Sequence, residues 1–198
     1  MPDDAVSLDE LRTIRRMIAG TRRSTVRHWV YLLVWGVLGV VASVASQLLV
    51  ETSHERQLWL VWTLYVVLGA AASALFGRRE RERTRVLTFV GRTLSVTWIA
   101  IGVTIALVSV WTLVFETLPP LLLPGVIALL LAIGLCVMGA LLEFRGLFFA
   151  AVLWWVGGLV MLLRPRDAYA VQTALLILGY LLPAEILRRQ LADDDTLD

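Results

Sequence analysis

The chain has 198 residues, 59% of them apolar and 17% charged, with a mean hydropathy of +0.78. Soluble domains run at about 45–50% apolar and about 25% charged, and a fold of this length has too little interior to hide the excess, so part of its surface must face lipid. All 18 basic residues are arginine and the net charge is only +2; arginines clustered beside long uncharged stretches orient a membrane protein and do not argue for nucleic acid.

Residues 1–28 come first, with Ser7 and Glu10 at the spacing of a capping box that starts a helix. Leu8, Leu11, Ile14 and Ile18 then recur at helical spacing while Arg12, Arg15 and Arg16 fill much of the rest. Such a helix is expected to lie on the membrane surface, with its arginines against anionic headgroups, or to dock a cytoplasmic partner.

A hydrocarbon core of about 30 Å needs roughly 20 apolar residues at 1.5 Å rise each. Six segments approach that length: Trp29 to Val50, Leu58 to Phe76, Leu94 to Phe115, Leu121 to Leu142, Leu147 to Leu163 and Tyr169 to Leu187. The fifth is the shortest, and it spans if the bilayer thins or the helix stands upright. The sixth carries Pro183 near its end, where a kink or an early stop is expected. The basic region, Trp29–Val41 and Ala42-Ser43-Val44-Ala45 together imitate a cleavable signal peptide. The basic region is long for one, however, and the apolar run resumes at Leu48, so the segment reads as a retained span. The expected fold is an all-α, polytopic membrane bundle: a cytoplasmic amphipathic segment 1–28, a six-span domain 29–187 and a cytoplasmic acidic tail 188–198.

Arginine placement orients this bundle. Fifteen of the arginines precede the first span, fill the second and fourth loops or follow the sixth span; only Arg56, Arg164 and Arg166 fall on the other side. The positive-inside rule then puts both termini and the loop Arg78–Arg85 in the cytoplasm. That loop, with Arg79, Arg81 and Arg83, is a candidate surface for a partner or for lipid, as are Arg12, Arg15 and Arg16. The loops on the other side, about 51–57, 116–120 and 164–168, are too short for a folded ectodomain. An even span count divided three plus three is compatible with an inverted repeat, though no residue pattern supports one.

Small residues spaced by four mark packing faces: Gly69, Ser73 and Gly77; Ala128, Ala132, Cys136 and Ala140; Gly39 and Ser43; Ala170 and Ala174. They let helix backbones approach closely where lipid offers little hydrophobic drive for association, and they are compatible with a homo-oligomer. Polar groups within spans are mild, and hydroxyls there can bond to their own helix. Gln47 and Gln172 stand out. Each lies toward the outer end of its span, so the pair is a candidate intramembrane contact, either a bond across the bundle or a contact to a substrate. Trp154 and Trp155 sit in mid-span, facing lipid or filling a helix crevice.

No Asp, Glu, His, Lys or Arg lies in the middle of a span, which disfavours proton-coupled pumping. His28 and His54 flank the first span and stand roughly 35–40 Å apart along it, too far to share a metal or haem. Cys136 is alone, so no disulfide forms within the chain. Neither a nucleophile elbow nor a lysine-bearing phosphate loop is present, and Glu143, Arg145 and Glu185 are the only inner-face candidates for interfacial chemistry. No catalytic residue, metal or cofactor is assigned.

The stretch from Leu11-Arg12 through Ile18, followed by His28-Trp29-Val30-Tyr31-Leu32-Leu33-Val34-Trp35-Gly36, resembles the start of a group of uncharacterised bacterial multi-span proteins. In these an amphipathic N-terminal helix leads into an aromatic-Leu-Leu-x-Trp-Gly span. The resemblance implies a six-helix protein of the bacterial inner membrane, of a kind sometimes associated with small winged-helix regulators; it implies no reaction and carries no functional residue. Two functions are therefore expected: a non-enzymatic module that anchors or regulates a cytoplasmic partner, or a small permease or channel subunit with its path between helices or protomers.

Overall fold

The computed structural model describes residues 29–83 and 89–195, with side chains described over 29–79 and 90–189. The expected amphipathic segment 1–28, with Arg12, Arg15 and Arg16, and the side chains of Arg81 and Arg83, lie outside the described residues. Among the described residues the chain is helical apart from short connections: α1 (Trp29–Glu51), α2 (Leu58–Arg83), α3 (Phe89–Phe115), α4 (Leu123–Leu141), α5 (Arg145–Leu163) and α6 (Ala168–Leu176). A π-turn, Ile177–Leu181, then carries α6 into α7 (Leu182–Asp195). Counting α6 and α7 as one, six helices are long and apolar enough to cross a bilayer. The all-α bundle of six spans expected from the apolar runs is the fold.

The boundaries move where propensity outruns hydropathy. α2 continues well past Phe76 to Arg83, because Arg and Glu are good helix formers and nothing in Arg78–Arg83 breaks the turn. α3 starts at Phe89, a turn before Leu94. Pro183 does not stop the sixth span. It has no N–H for the carbonyl four residues back; the preceding turn widens, so that the Leu182 N–H bonds Ile177 O, and the helix runs on to Asp195. Residues 188–195 of the expected acidic tail are thus part of a helix.

The spans form a row in the order α2, α1, α6–α7, α5, α4, α3. First and last spans are neighbours, and α4 and α5 share the most extensive interface. α2 and α3, joined in sequence by the arginine-rich loop, stand at opposite ends of the row and share no packed face; α2 leans on α1, and α3 on α4. In the first, fourth, fifth and sixth spans, 28% to 44% of the apolar window is buried, against 11% in the second and third. The core is therefore a four-helix layer with two flanking helices. On α3, Val96, Ile99, Val103, Leu107, Val110 and Val114 are exposed; in water such a face drives aggregation, whereas in hydrocarbon it is the ordinary outer surface.

Small residues set the close approaches. A Cβ on Gly125 would lie 3.0 Å from Gly158 O, and one on Gly158 3.2 Å from Gly125 O, so α4 and α5 touch backbone to backbone. Ala128 and Ala132 of the expected stripe are fully buried. Gly69 and Ser73 behave differently: they seat a ring, with the Trp35 indole packed on Gly69 and its Nε1–H donating to Ser73 Oγ at 3.0 Å. Ala170 and Ala174 are exposed, and Ala170 lies at the edge of the contact with α1, beside Gln47. Trp154 fills a crevice with no exposure, against the π-turn glycine Gly179, while its neighbour Trp155 is 39% exposed.

Candidate functional site

Of the buried polar side chains among the described residues, Ser43, Ser46 and Gln172 lie at the seam between α1 and the sixth span, and Thr112 lies on α3. α1 buries Gly36, Gly39, Ser43 and Ser46, spaced three, four and three, which at 3.6 residues per turn is one stripe. The sixth span answers with Tyr169, Gln172, Leu176 and Tyr180, all buried. Register is fixed at two heights. A Cβ on Gly36 would meet Leu181 and Tyr180, at 2.7 and 3.1 Å, and one on Gly39 would meet Leu176 at 3.0 Å. Nearer the Glu51 end, Ala170 N–H donates to Gln47 Oε1 at 3.2 Å.

That last bond gives Gln47 its role. Asp167, at the N-cap of α6, makes no side-chain capping bond; Ala168 N–H bonds Pro165 O of the preceding turn, and Ala170 N–H, two residues on, takes its acceptor from elsewhere. Gln47 supplies it from another span. Its Nε2 donates in turn to Glu51 Oε1 at 3.0 Å and to Arg166 O at 3.4 Å, and the half-buried amide staples the start of the last span to the end of the first. Gln47 and Gln172 are not bonded to one another. Gln172 is 4% exposed and its Oε1 has no partner; Ser43 Oγ and Ser46 Oγ, both at 0%, have none either.

Four other hydroxyls within spans bond to their own helix, whereas Thr112 Oγ1 on α3 is buried and, like the seam serines, has no partner. Ser95, Thr97, Thr104 and Thr173 each donate to the carbonyl four residues back, at 2.8 to 2.9 Å, which satisfies them within their own helix. Beside the seam a groove of about 270 Å³ is lined by Val44, Gln47, Leu48, Ala170 and Thr173. An aromatic wall closes the α2 side: Trp62 stacks on Tyr169 with centroids 6.0 Å apart, and Tyr65 meets Trp62 and Trp35 edge-on at 5.3 and 5.2 Å.

At the arginine-rich end, Glu185 accepts from Arg188 Nε at 2.8 Å and Nη2 at 2.9 Å, and from Arg189 Nε at 2.8 Å. Its carboxylate is thereby occupied, and no reacting group faces it. Arg79 is exposed on the extension of α2. At the opposite end His54 Nδ1 lies 2.7 Å from Thr52 O, a loop contact within its own turn. Among the described residues, no group of three or more His, Cys, Asp or Glu converges to hold a metal ion. Sequence alone does not pair Ser43 and Ser46 with Gln172, because only the helix order brings the first span beside the sixth; the stripe Gly36, Gly39, Ser43, Ser46 is the available signal.

The fold and this seam define a multi-pass helical membrane protein with its first and last spans clamped together. No family model, no curated protein and no solved structure matches the chain.

Proposed function

We propose that the protein is a non-enzymatic module of the bacterial inner membrane whose cytoplasmic face anchors or regulates a soluble partner. The observation that carries this reading is the one-sided helical extension. α2 runs on through Arg78–Arg83 and α7 through Arg188 to Asp195, and span parity puts both on the same end of the bundle. At the other end the connections are short turns closed by 3-10 turns at Glu55–Gln57, Pro120–Leu122 and Pro165–Asp167. The arginine excess at the extended end supports placing it in the cytoplasm. Clamped spans give a rigid platform, and the hydroxyls bonded to their own helices leave few groups to line a polar path.

A photo-reactive amino acid placed at Arg79 or Arg188 in living cells tests this. Discrete crosslinked products with a cytoplasmic protein are expected from those sites, absent from Gln57 and diminished by deleting residues 1–20. Saturable solute flux through the purified protein in liposomes, with no crosslinked product, would overturn the reading. Flux would instead favour a permease or channel subunit, for which the sparse burial of α2 and α3, 11% each, leaves room between protomers.

A further inference from the structure

We propose that the seam between the first and sixth spans encloses an ordered water molecule held by Ser43, Ser46 and Gln172. Three polar side chains there, each at least nine-tenths buried, present an atom with no partner: Ser43 Oγ, Ser46 Oγ and Gln172 Oε1. Register puts them together. Gly39 packs on Leu176, and one turn toward the Glu51 end on each helix brings Ser43 to the level of Gln172; the Gln47–Ala170 bond sets the next level out, beside Ser46. At about 100° per residue, Ser43 falls between Gly36 and Gly39 in azimuth and Ser46 about 20° beyond Gly39, so both hydroxyls face the sixth span.

The chemistry suits one water. Gln172 Oε1 only accepts, whereas each serine hydroxyl can donate once and accept. A water that donates to Oε1 and to one Oγ while accepting from the other makes three bonds, the usual number for a buried water. Ser95, Thr97, Thr104 and Thr173 show what an unrecruited hydroxyl can do, which is to bond its own helix; Thr112 on α3 is also buried without a partner, but it stands alone there, whereas the seam brings three such groups to neighbouring levels. The position is sealed on both sides. Leu176 covers Gly39, and Tyr180 and Leu181 cover Gly36, toward the arginine-rich end; Tyr169, 3% exposed, and the Gln47 staple close the other. The water would therefore be a fixed joint between the first and last spans, not a link in a conduit.

Water-edited solid-state NMR on the whole protein in bilayers tests this, with ¹⁵N-glutamine and ¹⁵N-alanine labels. The Gln172 side-chain amide is assigned by its disappearance in Gln172→Met; exposed Gln57 serves as the wet reference, and the fully buried Ala132 backbone amide as the dry one. Magnetisation from water should reach the Gln172 amide at least about threefold faster than it reaches Ala132, because a bound water lies within van der Waals distance. Ser43→Ala/Ser46→Ala should bring it to the Ala132 rate and leave Gln57 unchanged. A Gln172 amide as slow as Ala132 in the unsubstituted protein means that the hydroxyls turn back to their own helix, and it refutes the site. An unchanged fast rate in the double variant also refutes it, by showing that water arrives from elsewhere. If the double variant fails to fold, the unsubstituted comparison decides.

Discussion

Replacing Gly158 by alanine adds one methyl where α4 and α5 touch backbone to backbone. Built on the backbone, that Cβ lies 2.9 Å from Leu129 Cδ2 and 3.2 Å from Gly125 O. Carbon contacts are comfortable at about 3.5–4.0 Å, so Leu129 must change rotamer and the Gly125 carbonyl must retreat. A carbonyl in a helix moves with its helix, so α4 and α5 must give by a few tenths of an ångström at this contact. Over-packing of this kind costs about 1–3 kcal/mol. Part of it is masked, since alanine is favoured over glycine in a helix by about 0.8–1.0 kcal/mol. Gly102 removes the mask: it too is mid-helix, in α3, and its Cβ would meet nothing within 4 Å. The difference between Gly158→Ala and Gly102→Ala isolates the packing cost, about 1–3 kcal/mol or roughly 5- to 150-fold in the folded-to-unfolded ratio. Unfolding in mixed micelles of rising dodecyl sulfate fraction, followed by circular dichroism, measures it. Equal midpoints for the two variants, or a lower one for Gly102→Ala, would refute the backbone contact.

Two further substitutions probe the joints. Gln47→Leu removes the trans cap on α6 and should cost about 0.5–2 kcal/mol, as lost helix caps do, in the same unfolding assay; Gln57→Leu, on an exposed side chain, is the control, and equal effects would argue against the staple. Glu143→Gly bears on backbone strain. Glu143 ends α4 in the left-handed region with φ of 52°, and Phe144 N–H bonds back to Gly139 O at 3.1 Å, a helix-ending geometry that usually takes glycine. Relief of the Cβ clash should raise stability by up to about 1 kcal/mol; a loss would mean that the Glu143 side chain makes a contact the strain hides.

Span number and helix type were legible from the sequence because a 30 Å apolar layer demands unbroken runs of about 20 apolar residues, and the runs are there. Helix ends were less legible. Arg78–Arg83 is polar enough to leave the membrane and helical enough to continue, so hydropathy and propensity give different boundaries. Pro183 reads as a kink or a stop, yet one wide turn absorbs it. The order of helices could not be read at all. Gly39 and Ser43 mark a packing face without naming its partner, and only that partner explains why Gln47 caps another helix while Gln172 is left with an orphan oxygen. Trp154 and Trp155 share one local sequence and separate only because one azimuth of α5 faces Gly179 and the other faces lipid.

The orientation of the bundle decides whether its charged extensions meet the cytoplasm, and single-cysteine labelling measures it directly. In a Cys136→Ala background, Gln57→Cys and Arg79→Cys each place one thiol at an exposed position at opposite ends of α2. A membrane-impermeant maleimide should modify Gln57→Cys in intact bacterial cells, and Arg79→Cys only in inverted vesicles or after permeabilisation. Labelling of both from the same side would contradict the spanning of α2, and the reverse pattern would place the arginine-rich face, and any partner it holds, outside the cell.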